Sequence, residues 1–120
     1  MDRDPVLTNP EWYRVVVENE RVRVLEYRDA PDTRTTPHQH PDSVMVTLSS
    51  FRRRLVLGDQ HRDVALRSGE VRWLEAQEHA GENIGDTDSH AIFIELKGGG
   101  MSPRHSDDPP PLGPSDGQPR

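Results

Sequence analysis

Between Trp12 and Leu96, apolar residues come in short runs that alternate with polar ones, and turn residues break the runs at short intervals. Nine segments read as strands on this pattern: Val15–Val17, Val22–Tyr27, Arg34–His38, Val44–Leu48, Arg53–Leu57, Val64–Leu66, Glu70–Leu74, His79–Asn83 and Ala91–Leu96. The breaks carry turn chemistry: Glu18-Asn19-Glu20, Ala30-Pro31-Asp32, Gly58-Asp59, Ser68-Gly69 and Gly85-Asp86-Thr87-Asp88. Short, regularly spaced strands of this kind predict an all-β sandwich or barrel. No window carries a helical apolar period over several turns. One short helix is expected around Asn9–Tyr13, with Asn9 as its cap and Pro10 at its first position.

The pattern stops at Gly98. Residues 98–120 open with Gly98-Gly99-Gly100, contain Pro109-Pro110-Pro111, hold six of the eleven prolines and have no aromatic residue. Such a stretch buries too little apolar surface to offset its chain entropy, so a disordered tail is expected. The chain then divides into an N-terminal arm (1–18), a β-barrel (19–97) and the tail (98–120).

Composition narrows the function classes. With no cysteine there is no disulfide, thiolate ligand or cysteine nucleophile. A net charge of −6 argues against nucleic acid as a partner. No apolar leader follows Met1-Asp2-Arg3-Asp4-Pro5, and no stretch approaches the roughly 18 apolar residues that span a bilayer. A cytoplasmic protein with no membrane contact is the expectation. Hydrophobic content is only 31%, and a small domain is marginal alone, so a homodimer is expected. The Arg52-Arg53-Arg54 run reads as a solvated strand face.

The chemistry lies in the histidines. His38 and His40 are two residues apart on a strand, so they share a face. His79, on a second strand, can complete a set of three, and Asn83 follows it by four. Neutral imidazole suits zinc, copper, iron and nickel.

The order of these residues resembles the cupin family. The first cupin motif is a glycine, five residues, His-x-His, three or four residues and a glutamate; the second runs from a glycine through Pro-x-Gly to His-x3-Asn. Here the first spans Asp32 to Leu48 and the second Gly69 to Asn83, and the likeness covers roughly Asn19 to Lys97. Asp32 stands where the first glycine is expected, and Glu75-Ala76-Gln77 replaces Pro-x-Gly. No carboxylate stands at Ser43, Val44 or Met45, where the motif glutamate belongs. The resemblance implies a double-stranded β-helix, or jelly-roll, barrel. It also implies one divalent transition metal (Fe, Zn, Ni, Mn or Cu) on His38, His40 and His79.

Asn83, Glu78 and Met45 are the candidate catalytic residues. Asn83 and Met45 can face the cavity. Glu78 reads as a surface carboxylate, because alternation turns it away from His79. Tyr27 and Trp73 are expected to wall or fill the barrel, and His90, on the face of Ile92 and Ile94, to sit in the core or at its rim. The function expected is a metal-dependent enzyme acting on a small anionic molecule, with dioxygenase chemistry leading. The alternatives are a non-catalytic binding or sensing domain and a metal-dependent isomerase.

Overall fold

The computed structural model describes residues 3–98 and 112–115. It contains α1 (Pro5–Thr8), β1 (Tyr13–Glu18), β2 (Val22–Asp29), β3 (His38–His40), β4 (Ser43–Thr47), β5 (Phe51–Leu57), β6 (Gln60–Leu66), β7 (Val71–Leu74), β8 (Gln77–Asn83) and β9 (Ser89–Leu96). Two antiparallel sheets form, ordered β1-β2-β9-β4-β7 and β3-β8-β5-β6. Their facing side chains make one core, in which Leu25, Tyr27, Met45 and Phe93 of the first sheet meet Phe51 and Leu66 of the second. This is the all-β double-stranded β-helix expected from the strand pattern. Among the described residues no helix is long and apolar enough to cross a membrane.

Several local expectations are corrected. The helix begins five residues earlier than expected, because Asp4-Pro5 offers the same cap chemistry as Asn9-Pro10. Asp4 accepts from Val6 N–H at 2.9 Å, Pro5 occupies the first turn, and Asn9 closes the C-terminus. Tyr13 is thereby free to start β1 in the core. Within the expected arm lie α1 and β1, the latter covering the strand expected at Val15–Val17 and pairing along β2 as an edge strand. The strand expected at Arg34–His38 is instead His38–His40, and Arg34 makes only an isolated bridge to Glu82. Pro37 and Pro41 bracket it and, lacking N–H groups, cannot extend the ladder.

Tail residues Leu112–Ser115 pack on the barrel, with Gly113 and Pro114 buried, so the expected tail is not unstructured there. The rest of that stretch, 99–111 and 116–120, lies outside the described residues. Packing at Leu112–Ser115 comes from backbone hydrogen bonds and two small residues, which composition does not signal.

Asp32, at the position of the missing motif glycine, has φ 72°, and it is the one positive-φ non-glycine among the described residues. The left-handed backbone that a glycine would supply is retained, and Asp is one of the few side chains that tolerate it. Asp32→Gly should therefore leave stability equal or higher, whereas Asp32→Val should lose about 1–2 kcal/mol in urea unfolding. Equal losses in both would show that this backbone conformation imposes no such constraint.

Candidate metal centre

The site begins with strand pairing. β3 runs antiparallel to β8 with His38 opposite His79 and His40 opposite Gln77. Opposed residues share a face, and period two adds His40 to it. All three imidazoles are buried, with ring centroids 4.8 Å (His38–His40), 5.1 Å (His38–His79) and 5.1 Å (His40–His79) apart. One potential ligand atom from each lies within 4.8 Å of the others.

Neighbours set the tautomers. Thr36 O lies 2.7 Å from His38 Nδ1, and a carbonyl only accepts, so Nδ1 carries the proton and Nε2 keeps its lone pair. Gln77 Oε1 does the same for His79 Nδ1 at 2.7 Å. The Gln77 amide is oriented by its other end, because Nε2 donates to Glu75 O at 2.9 Å and Gly113 O at 3.1 Å. Tyr13 Oη lies 3.4 Å from His38 Nε2, and burial pushes its phenol up, so it stays protonated. His40 stacks on Phe93 at 5.2 Å. Its Nδ1 is buried with no hydrogen-bond partner, as is Glu95 Oε2. Such orphans cost about 1–3 kcal/mol each. Two oriented imidazoles, one with an orphaned nitrogen, and a common face fit a cation-holding set.

Burial keeps the set neutral. It lowers His38; it takes His40 well down, helped by His79 and His38; and with His38 and Arg53 nearby it takes His79 to about 3. Neutral imidazole is the form that ligates metal.

The structure brings Met45 to the same cavity. It does not bring Asn83 or Glu78 there. Asn83 is buried away from the histidines, donating to Asp29 Oδ1 at 3.0 Å and Thr87 O at 2.9 Å and accepting from Gly85 N–H. Glu78 faces outward and pairs with Arg3. Trp73 is 40% exposed, and His90 lies outside the barrel, 2.6 Å from Glu26. The inward face of β9 is Ser89, Ala91, Phe93 and Glu95. Ser43 is buried opposite Glu95, so the carboxylate missing from β4 has a counterpart on the neighbouring strand, held by Arg23 at 2.8 Å.

Sequence reasoning missed Arg53. It points inward and lines the histidine cavity, its Nη1 on Asp29 at 2.6 Å and Ser89 at 3.1 Å and its guanidinium 5.1 Å from the Tyr27 ring. Period two from Phe51 through Leu55 was the available signal. The cavity has a volume of about 50 Å³, room for an ion and a few small atoms. Outside the barrel end, a groove of about 890 Å³ lined mostly by charged and polar residues runs past His40, Gln77 and Glu95.

No family model matches the sequence, and no curated protein does. Solved structures do. A cupin domain from Bordetella pertussis is similar over 72% of this chain and 92% of its own, at 31% identity and a TM-score of 0.67. A conserved double-stranded β-helix protein from Klebsiella pneumoniae matches over 70% and 74%, at 18% identity and TM-score 0.57. The polyketide cyclase RemF from Streptomyces resistomycificus matches over 70% and 63%, at 20% identity and TM-score 0.54. The last two show the fold alone.

The depressed histidines give a pH prediction. An unfolded imidazole takes a proton near 6.5, whereas His79 resists until about 3. Between those values the unfolded chain binds more protons, so stability falls as pH falls, by up to about 1.4 kcal/mol per pH unit for His79. Glu95, raised by burial, works in the opposite sense. In chelator-treated protein, the pH 7 to pH 5 loss on urea unfolding should therefore be smaller in His79→Asn than in wild type. Equal slopes would contradict the assignment.

Proposed function

This chain belongs to the cupin family, and from that premise we propose that His38, His40 and His79 hold one divalent transition metal in an enzyme site for a small anionic molecule. The observation that carries the reading is the convergence of three neutral, buried imidazoles on one face of the β3–β8 pair. When bound, the metal supplies Lewis acidity and, if redox-active, a route to dioxygen chemistry.

The chain's own residues favour an anion. Three neutral ligands leave the ion's charge uncompensated, and a buried site screens it poorly. Arg53 adds a cation to the cavity wall, although Asp29 offsets much of its charge. The Tyr13 hydroxyl, kept protonated, can donate to an anion oxygen beside His38. Met45 and Phe93 give the cavity wall its apolar surface. The groove past His40 offers a polar molecule its approach.

The test starts from chelator-treated protein titrated with Fe(II), Mn(II), Ni(II), Cu(II) and Zn(II), then with acetate or acetylacetone, while oxygen uptake is followed with diketones, phenols and thiols. One metal per chain is expected, with anion binding only after loading. Tyr13→Phe should weaken the anion about 10-fold and spare the metal. Absence of stoichiometric metal in wild type would overturn the reading. Metal and anion binding without turnover of any substrate in the panel would favour a sensing domain.

A second copy of the chain is the proposed partner. β1 is an edge strand whose Val15, Val16 and Val17 are 39%, 45% and 49% exposed, an apolar edge that pairing would cover. Light scattering should give the dimer mass at micromolar concentration; a monomer would contradict it.

A further inference from the structure

The two sheets end in edge strands β6 and β7, and the seam between them opens onto the histidine cavity. Residues 112–115 cross that seam. On the β6 side, Arg62 Nη1 donates to Leu112 O at 3.4 Å. On the β7 side, Ser115 N–H donates to Trp73 O at 2.9 Å and Arg72 Nη1 to Ser115 O at 2.6 Å. Between them Gly113 and Pro114 are buried and line the same cavity as the three histidines. Gly113 has φ 86°, a left-handed backbone that strains any other residue, and a Cβ there would stand 2.3 Å from Leu55 Cδ1 and have to displace that methyl.

The crossing reaches His79 through one side chain. Gln77 Oε1 accepts from Gly113 N–H at 2.7 Å and faces His79 Nδ1 at 2.7 Å, while Gln77 Nε2 donates to Gly113 O at 3.1 Å and Glu75 O at 2.9 Å. These four contacts fill most of the amide's hydrogen-bonding capacity, and three of them tie the crossing segment to His79.

We propose that Gln77 is a positioning residue for His79, and that Leu112–Ser115 is a strap that closes the barrel seam and holds Gln77 in place. The metal arm of this proposal rests on the reading of the histidines as ligands; the tautomer arm does not. With the strap seated, Gln77 is fixed at both ends of its amide, His79 keeps its proton on Nδ1, and Nε2 faces the cavity. With the strap displaced, Gln77 loses two of its partners and can turn, and the small cavity opens at the seam. The strap therefore sets both the orientation of one ligand and the size of molecule admitted. Fixing a ligand imidazole from outside typically governs metal affinity by about 10–100-fold.

The test uses the full chain and three variants: Gly113→Ala, which strains the strap's left-handed backbone and crowds Leu55; Gln77→Ala; and the two combined. Gln77→Glu, which keeps the acceptor for His79 and Gly113 N–H but loses the donor to Gly113 O and Glu75 O, is the control for the acceptor alone. In metal-free, ¹⁵N-labelled protein, long-range correlation of the imidazole nitrogens reads the His79 tautomer. Wild type and Gln77→Glu should show the proton on Nδ1, and the other variants a mixture. Titration with Co(II) should give a dissociation constant about 10-fold weaker in Gly113→Ala, at least as weak in Gln77→Ala, and no weaker still in the double variant, since both changes break one linkage. An unchanged His79 tautomer in Gly113→Ala, Co(II) affinity within twofold of wild type, or losses that multiply in the double variant would overturn the proposal. If wild type takes up no Co(II), the metal reading fails, and the tautomer measurement alone decides whether the strap acts on His79.

Discussion

The antiparallel register that sets His38 opposite His79 is the constraint on which the site depends. β3 is only three residues long, and a slip of one residue would turn both its histidines outward and leave His79 facing Gln39. The register is held from several directions. Pro37 and Pro41 fix the strand's length, Gln39 N–H bonds Arg3 O at 2.7 Å, and Asn9 accepts from Thr36 N–H at 2.8 Å. The short N-terminal helix thus acts on the site, since its C-cap residue anchors the approach to β3.

The second constraint is burial without charge. Three imidazoles packed among Tyr13, Phe93 and Met45 are held in the neutral, singly protonated form, and the Nδ1 partners of His38 and His79 direct two lone pairs inward. Apart from His40 Nδ1 and Glu95 Oε2, which are unpartnered, the interior polar groups among the described residues pair with one another. Asp29 takes Tyr27, Arg53, Asn83 and Ser89 into one network at the opposite end of the barrel. That end is closed by hydrogen bonds, while at the histidine end His40 Nδ1 is buried with no partner.

Much of this was legible in the sequence. The strands showed because turn residues punctuate them, and His38, His40 and His79 stood out because period two puts histidine pairs on one face. The faces were harder to read. On β9 the aliphatic Ile92 and Ile94 suggested the core side, yet Ser89, Ala91, Phe93 and Glu95 point inward. An interior built to hold polar chemistry inverts the usual hydrophobic alternation. Arg53 was hidden for a related reason: in a run of three arginines it looks solvated, and its partner Asp29 comes from a strand in the other sheet. Asn83 carried a motif position but serves the turn to Gly85. Asp32 shows the opposite case, where the residue departs from the motif and the backbone conformation does not. Residues 112–115 could not have been found from composition, because four residues with backbone contacts give no hydrophobic signal.

X-ray absorption at the metal edge of the loaded protein tests the central claim most directly. A first shell of nitrogen or oxygen at about 2.0–2.2 Å with outer-shell scattering from three imidazoles is predicted, falling to two on substitution of His38, His40 or His79 by alanine. A first shell without imidazole scattering, or one unchanged by those substitutions, would contradict the account.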